Sequence, residues 1–143
     1  MPAQDPRTIL PSLSQGDALS FKVKNSAFVD GSTTTYAVAG DILILDGIDG
    51  GYISCQKAKH GVTVPVSQLV IAAHSLRGDA GRAVTWMKLT DVVTTGATIG
   101  DPVYLSGTTA GAWTLTDPGT GTVVGKVLKV HATAGVVLLR PLV

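Results

Sequence analysis

The chain has 143 residues, of which 45% are hydrophobic and only 15% charged, and its formal net charge is +1. Globular proteins average about 25% charged residues, so this surface is poor in charge, and apolar surface left uncovered marks interaction sites. The near-neutral charge argues against nucleic-acid binding, and no apolar run is long enough to span a membrane. The length suits a single domain with its own core.

The acidic residues are all aspartate, and glutamate is absent. Aspartate and glycine favour turns, whereas threonine and valine favour strands, so the composition predicts an all-β protein. Cys55 is the only cysteine, which excludes an internal disulfide. We interpret it as a packed thiol, because no motif places a histidine and an acid around it. The first twenty residues lack the basic start and apolar stretch of a signal peptide.

The first segment, residues 1–15, contains three prolines and no apolar periodicity. This density of proline excludes a helix interior and a central strand. The segment also holds more apolar residues than a disordered tail normally has. We therefore interpret it as an extended arm that lies on a partner or on the body of the protein. The candidate partner-binding residues in the arm are Pro6, Ile9, Leu10, Pro11 and Leu13.

Residues 16–143 are predicted to form one domain of short strands separated by turns about every eight to twelve residues. The predicted strands and hairpins cover residues 18–24, 36–47, 51–58, 61–66, 83–93, 102–116 and 122–142. The segment 67–76 fits either a strand or one short helix capped by Ser67. The fold class we expect is a small antiparallel β-barrel or β-sandwich built from hairpins.

The run Val136 to Leu139 has no polar face, so we expect both of its faces to be buried. The cover would be a loop or another subunit. A weak internal echo also links residues 40–54 and 100–115, which share a Gly-Asp start, an apolar strand and a glycine turn at an offset of sixty residues. The simplest interpretation is two similar hairpins in one barrel, because a repeat array needs at least three copies.

Gly-Asp dipeptides recur at the starts of apolar strands. Glycine supplies a positive φ, and the aspartate carboxylate can accept a backbone N–H two residues further on. We interpret these pairs as strand-entry turns and not as catalytic acids or metal ligands. The residues concerned are Gly16, Asp17, Gly40, Asp41, Gly100 and Asp101.

No motif for catalysis, a cofactor or a metal ion emerges from the sequence. Its three histidines are far apart, whereas a zinc site needs three or four convergent ligands. Coordination on a trimer axis is the one metal site that this spacing leaves open. Asp46 and Asp49 fall in a hairpin turn without an aromatic sugar platform. The glycines near Lys126 do not match the phosphate-loop pattern. We expect no enzyme activity and no cofactor.

The last forty-four residues resemble the small head decoration, or cement, proteins of tailed bacteriophages. The resemblance rests on "GDPVY", a Gly/Thr turn, a strand, "GTVVGKVL", a short turn and "GVVLLRPL", and it extends loosely to residues 16–58. Such a family implies a homotrimer on the outer surface of the capsid, made in the host cytoplasm, that binds the major capsid protein and stabilises the expanded head. It implies neither a nucleic-acid nor a membrane partner, and the arm would reach a neighbouring subunit.

The candidate subunit-interface residues are Trp86, Tyr104, Trp113, Val137 and Leu139. Aromatic residues are enriched at interface hot spots, although core packing is the alternative for each of them. Other functions remain open on the residues alone. They are another β-barrel component of a phage head or tail, such as a fibre base or connector, and a carbohydrate-binding β-sandwich.

Overall fold

The computed structural model describes residues 20–25, 37–49, 51–61, 68–74, 76 and 80–141. The predicted arm with its candidate contact residues, the turn at Gly16 and Asp17, and most of the predicted strand 61–66 lie outside the described residues.

The described part of the chain is all-β, as the composition predicts, and contains no α-helix. Segment 67–76, which fitted either a helix or a strand, contains a strand at Leu69–Ala72. The ten strands are β1 Ser20–Asn25, β2 Ile42–Asp49, β3 Tyr52–Lys57, β4 Leu69–Ala72, β5 Ala80–Val84, β6 Met87–Val92, β7 Pro102–Leu105, β8 Trp113–Thr114, β9 Val123–Lys129 and β10 Gly135–Leu139.

The first sheet is a closed barrel in the order β1-β3-β2-β4-β5. Its neighbouring strands are antiparallel except for β1 and β3, whose parallel pairing closes the barrel. A small apolar core fills it, and Cys55 is fully buried there, as expected of a packed thiol. The core residues are Val23, Ala37, Leu43, Cys55, Val70, Ala72, Leu76 and Ala83.

The second sheet has the order β6-β10-β9-β7-β8 and covers one side of the barrel. The larger core of the molecule lies between the two sheets. The barrel contributes Ile42, Ala58, Leu69 and Ile71, and the second sheet contributes Val103, Leu105, Val124, Val127, Val137 and Leu139. Strands β2 and β4 are therefore apolar on both faces, because one face points into the barrel and the other toward the second sheet.

The two sheets repeat one topology. Because the first sheet is closed, its strand order can be written from β3 as β3-β2-β4-β5-β1. Adding five to each strand number gives β8-β7-β9-β10-β6. This is the order of the second sheet read from its β8 edge. The pairing of the first and last strands repeats as well, since Ser20 pairs with Val84 in the first sheet and Met87 pairs with Leu139 in the second. The chain thus contains two five-stranded units, residues 20–84 and 87–139.

The Gly-Asp turns show the same repeat in detail. The Gly40 N–H donates to the Ala72 carbonyl and the Ala72 N–H donates to the Asp41 carbonyl, both at 2.9 Å. In the second unit the Gly100 N–H donates to Val127, which donates to Asp101, at 2.8 and 2.9 Å. The echo at an offset of sixty residues therefore joins hairpins in two different sheets, and our interpretation of two hairpins in one barrel was wrong.

The predicted strand 83–93 is broken at Thr85 and Trp86, so that β5 lies in the barrel and β6 in the second sheet. The pattern did not predict this break, because strand propensity is similar on both sides of it. Residues 37–40, predicted as the end of a strand, form the turn before β2. There the Asp41 N–H donates to the Val38 carbonyl at 3.0 Å.

Thr94 fastens the segment after β6 to the β9–β10 hairpin. Its side chain is fully buried, and Oγ1 accepts the His131 N–H and donates to the Lys129 carbonyl, each at 2.8 Å. The Thr94 N–H also donates to the His131 carbonyl at 3.0 Å. These bonds hold the loop between β6 and β7 along the end of β9.

Replacing Thr94 with valine keeps the side-chain shape but leaves the His131 N–H and the Lys129 carbonyl without this partner. We expect the free energy of unfolding to fall by about 1–3 kcal/mol, the usual cost of unsatisfied buried polar groups. Urea denaturation measures the change. The exposed neighbour Thr95 is the matched control, because Thr95→Val should stay within about 0.5 kcal/mol of wild type. Equal stability of the two variants would contradict this role of Thr94.

Candidate functional site

The two Gly-Asp pairs inside the described residues form strand-entry turns, as predicted. Gly40 has φ of 90° and Gly100 has φ of 92°, values that glycine adopts without strain. Each aspartate carboxylate accepts a backbone N–H, but the donor lies three residues earlier and not two residues later. Asp41 Oδ2 accepts from Val38 at 3.0 Å, and Asp101 Oδ2 accepts from Thr98 at 2.8 Å.

Asp41 has a second role at the joint between the two units. Its Oδ2 lies 3.7 Å from Lys57 Nζ, and these side chains are only 19% and 10% exposed. Gly111 of the second unit packs against both, and its backbone bonds to the first unit through Ile42 and Ala58 at 2.8 and 2.7 Å. Burial raises the pKa of Asp41, while the Val38 N–H and Lys57 oppose that rise.

The raised pKa of Asp41 makes the stability of the protein depend on pH. The folded chain binds this proton more tightly than the unfolded chain, so the contribution of Asp41 to stability falls as pH rises. The fall begins below 3.8, the ordinary value of the group, and is complete above the raised folded-state pKa.

We expect Asp41→Asn to remove this part of the pH dependence. The wild-type free energy of unfolding, taken relative to the variant, should decrease as pH rises through this window. In a Lys57→Met background, the same comparison with and without Asp41→Asn should give a larger decrease, because the lysine charge opposes the rise of the Asp41 pKa. Urea denaturation at a series of pH values measures both effects. Parallel curves for wild type and Asp41→Asn would show that Asp41 does not titrate in this way.

Two of the histidine side chains accept hydrogen bonds from backbone N–H groups. His131 Nδ1 accepts the N–H groups of Thr133 and Ala134 at 3.0 and 2.8 Å, in the turn between β9 and β10. His74 Nε2 accepts the Arg82 N–H at 3.2 Å. Within the residues that the structure describes, no group of three or more His, Cys or Asp side chains is placed to hold a metal ion. The same residues form no helix long and apolar enough to cross a membrane.

The structure separates the five predicted interface residues. Val137 and Leu139 are fully buried in the core between the sheets, so they cannot contact another subunit directly and that assignment was wrong. Trp113 is partly buried against the same core, and Trp86 is half-buried in the connection between β5 and β6. Tyr104 is half-buried between the buried residues of β7, so it points to the outer face of the second sheet.

That outer face, the side of the second sheet turned away from the barrel, is incompletely covered. We expected both faces of the run Val136 to Leu139 to be buried, but Val136 and Leu138 are only half-buried on the outer face. A groove of about 250 Å³ opens beside Leu138. We call it the groove, and it is lined by Val123, Gly125, Lys126, Leu138 and Arg140.

Gly125 allows β9 and β10 to approach closely at the groove, since a Cβ atom there would collide with the Leu138 carbonyl oxygen. Val123 lies at one end and is 46% exposed. Lys126 and Arg140 are exposed at its sides, so the charged residues that line the groove are both cations.

The internal repeat identifies the face of the first unit that is equivalent to this outer face. In the first unit, the cross-strand pairs Ile42–Ile71 and Ile44–Leu69 face the second sheet. The equivalent pairs in the second unit are Pro102–Lys126 and Tyr104–Val123, at the same place between β7 and β9. The outer face of the first unit is thus covered by the second unit, whereas the equivalent face of the second unit carries the open groove.

A second exposed apolar surface lies at the end of β9, and we call it the edge cluster. Val93 and Ile99 are 63% and 69% exposed, and Leu128 and Val130 are each 38% exposed. The bonds from Thr94 to His131 and from Gly100 to Val127 hold these four residues along one end of the sheet. On the barrel, Ile48 and Ile53 form an exposed cross-strand pair.

In comparisons with known proteins, the sequence matches no protein-family model and no curated protein. The candidate site therefore rests on the geometry of the chain itself. Sequence reasoning did not single out the groove residues Val123, Lys126 and Arg140. The available signals were the apolar run from Val136 to Leu139 and the internal echo at sixty residues, which together point to a face without a cover.

Proposed function

We propose that the protein is a non-enzymatic structural component of a bacteriophage head, a decoration protein that binds the outer surface of the major capsid protein shell and stabilises the expanded head. The observation that carries the proposal is the uncovered outer face of the second sheet, whose equivalent in the first unit is an intramolecular interface. The resemblance of residues 100–143 to phage decoration proteins supplies the identity of the partner.

Two surfaces, the groove and the edge cluster, support a role in assembly with other protein chains. The groove combines the apolar residues Val123 and Leu138 with two cations, so a partner of complementary charge fits it better than a second copy of the same surface. The edge cluster presents apolar side chains, which suits contact between copies of the chain. We therefore assign the groove to the shell and the edge cluster to self-association in a homotrimer.

Each contact of this kind can be weak and still hold the protein on a shell. Burying one valine, leucine or isoleucine side chain contributes about 1.5–3 kcal/mol before the cost of association. A trimer engages three equivalent sites, and the effective concentration of the second and third contacts raises the total affinity.

The trimer is tested by the solution mass of the full chain, measured by light scattering at low and high salt. We expect a trimer at both salt concentrations, because apolar contacts are not screened. Deleting residues 1–15 should leave it intact. Ile99→Lys should give monomers by placing a charge in the edge cluster, whereas Thr95→Lys, on the same loop, should not. A monomeric wild-type chain would contradict the trimer.

Binding to the shell is tested by co-sedimentation with expanded capsid shells that lack the decoration protein. We expect saturable binding of the folded chain and a higher temperature of shell disruption, because a ligand that binds only the intact state stabilises it. Shells that have not expanded serve as the control. A folded chain that stays in the supernatant with expanded shells would overturn the proposed function.

A further inference from the structure

The outer face of the second sheet carries a row of residues that runs across four strands. The pairing places Lys88 of β6 opposite Leu138 of β10, Leu138 opposite Lys126 of β9, and Lys126 opposite Pro102 of β7. Directly paired residues share one face of a sheet, and neighbouring strands lie about 4.8 Å apart. Leu138 is therefore flanked on both sides by lysines whose backbones are about 10 Å apart.

Arg140 adds a third cation two residues beyond Leu138, where its N–H donates to the Val124 carbonyl at 2.7 Å. Lys88, Lys126 and Arg140 are all exposed. Within the described ranges of the chain, none of the three forms an ion pair with an acid. The nearby Asp101 carboxylate accepts the Thr98 N–H.

Lys126 and Arg140 thus line a groove whose apolar part is made by Leu138 and Val123, and Lys88 lies beside Leu138 on the neighbouring strand. Like charges that flank one position on a sheet repel one another, and a ligand that brings negative charge relieves this repulsion. Covering apolar area that is otherwise in contact with water stabilises the complex with the partner. The groove therefore combines charge selection by its cations with apolar binding at Leu138 and Val123.

We propose that the groove binds an extended acidic segment of a partner polypeptide, with one apolar side chain over Leu138 and Val123 and carboxylates paired with Lys88, Lys126 and Arg140. Charge complementarity selects this occupant. A nucleic acid fits less well, because part of the groove is apolar and the chain has a net charge of only +1. The inference rests on the proposed function only in naming the capsid shell as the source of the segment.

The test uses fluorescence anisotropy with a labelled synthetic peptide in which glutamate and leucine alternate. We expect this peptide to bind the full chain at least about tenfold more tightly than the same peptide with glutamine in place of glutamate. The difference should shrink at high salt, since exposed charge pairs are screened.

Variants of exposed cations locate the binding site. Lys126→Gln combined with Arg140→Gln should weaken peptide binding by about tenfold or more. Lys129→Gln is the matched control, because Lys129 is also exposed on β9 but does not line the groove, and it should change affinity by less than about twofold. Val123→Ser should weaken binding, whereas Val93→Ser at the edge cluster should not. Thermal denaturation confirms that each variant is folded.

Three results would overturn the inference: equal binding of the glutamate and glutamine peptides, wild-type affinity in the Lys126 and Arg140 double variant, or tighter binding of a short single-stranded DNA than of the acidic peptide. The outcome is separable from that of the proposed function. Peptide binding at the groove without shell binding would refute the decoration role and leave the acidic-segment site. Shell binding that is unchanged in the Lys126 and Arg140 double variant would refute the acidic-segment site and leave the decoration role.

Discussion

The structure depends on burial of the apolar outer face of the barrel. Ile42, Ile44, Leu69 and Ile71 project from β2 and β4 away from the barrel interior, which is filled by other side chains of the same strands. Left in water, each such side chain would forgo about 1.5–3 kcal/mol of stabilisation. The second five-stranded unit supplies the cover, so the first unit is complete only when the second packs against it.

The two units share a topology but differ in whether the sheet closes into a barrel. The first unit closes on itself through the parallel pair β1 and β3, whereas β8 of the second unit has only two residues and pairs with β7. The second unit instead covers one side of the shared core. Its outer face has Lys126 where the first unit has Ile71, and Pro102 where the first unit has Ile42. A charged residue at this position keeps the face compatible with water.

Polar groups at the joints fix how the units meet. Asp41 and Lys57 pair beside Gly111, and Thr94 satisfies two backbone groups at the end of β9. Groups buried this deeply stabilise one arrangement because any displacement leaves them without partners. The groove and the edge cluster both lie on the second unit, so these polar contacts hold them in a constant geometry.

The sequence by itself determined the all-β class, the hairpins over residues 42–57, 102–116 and 122–142, the buried thiol of Cys55 and the turn role of Asp41 and Asp101, because period-two patterns and Gly-Asp turns are local signals. Tertiary structure alone decided which sheet each strand joins. It broke residues 83–93 at Trp86, buried Val137 and Leu139 inside the chain, and placed Lys88 and Lys126 on either side of Leu138. Those outcomes depend on pairing between residues distant in sequence, which local propensity does not encode.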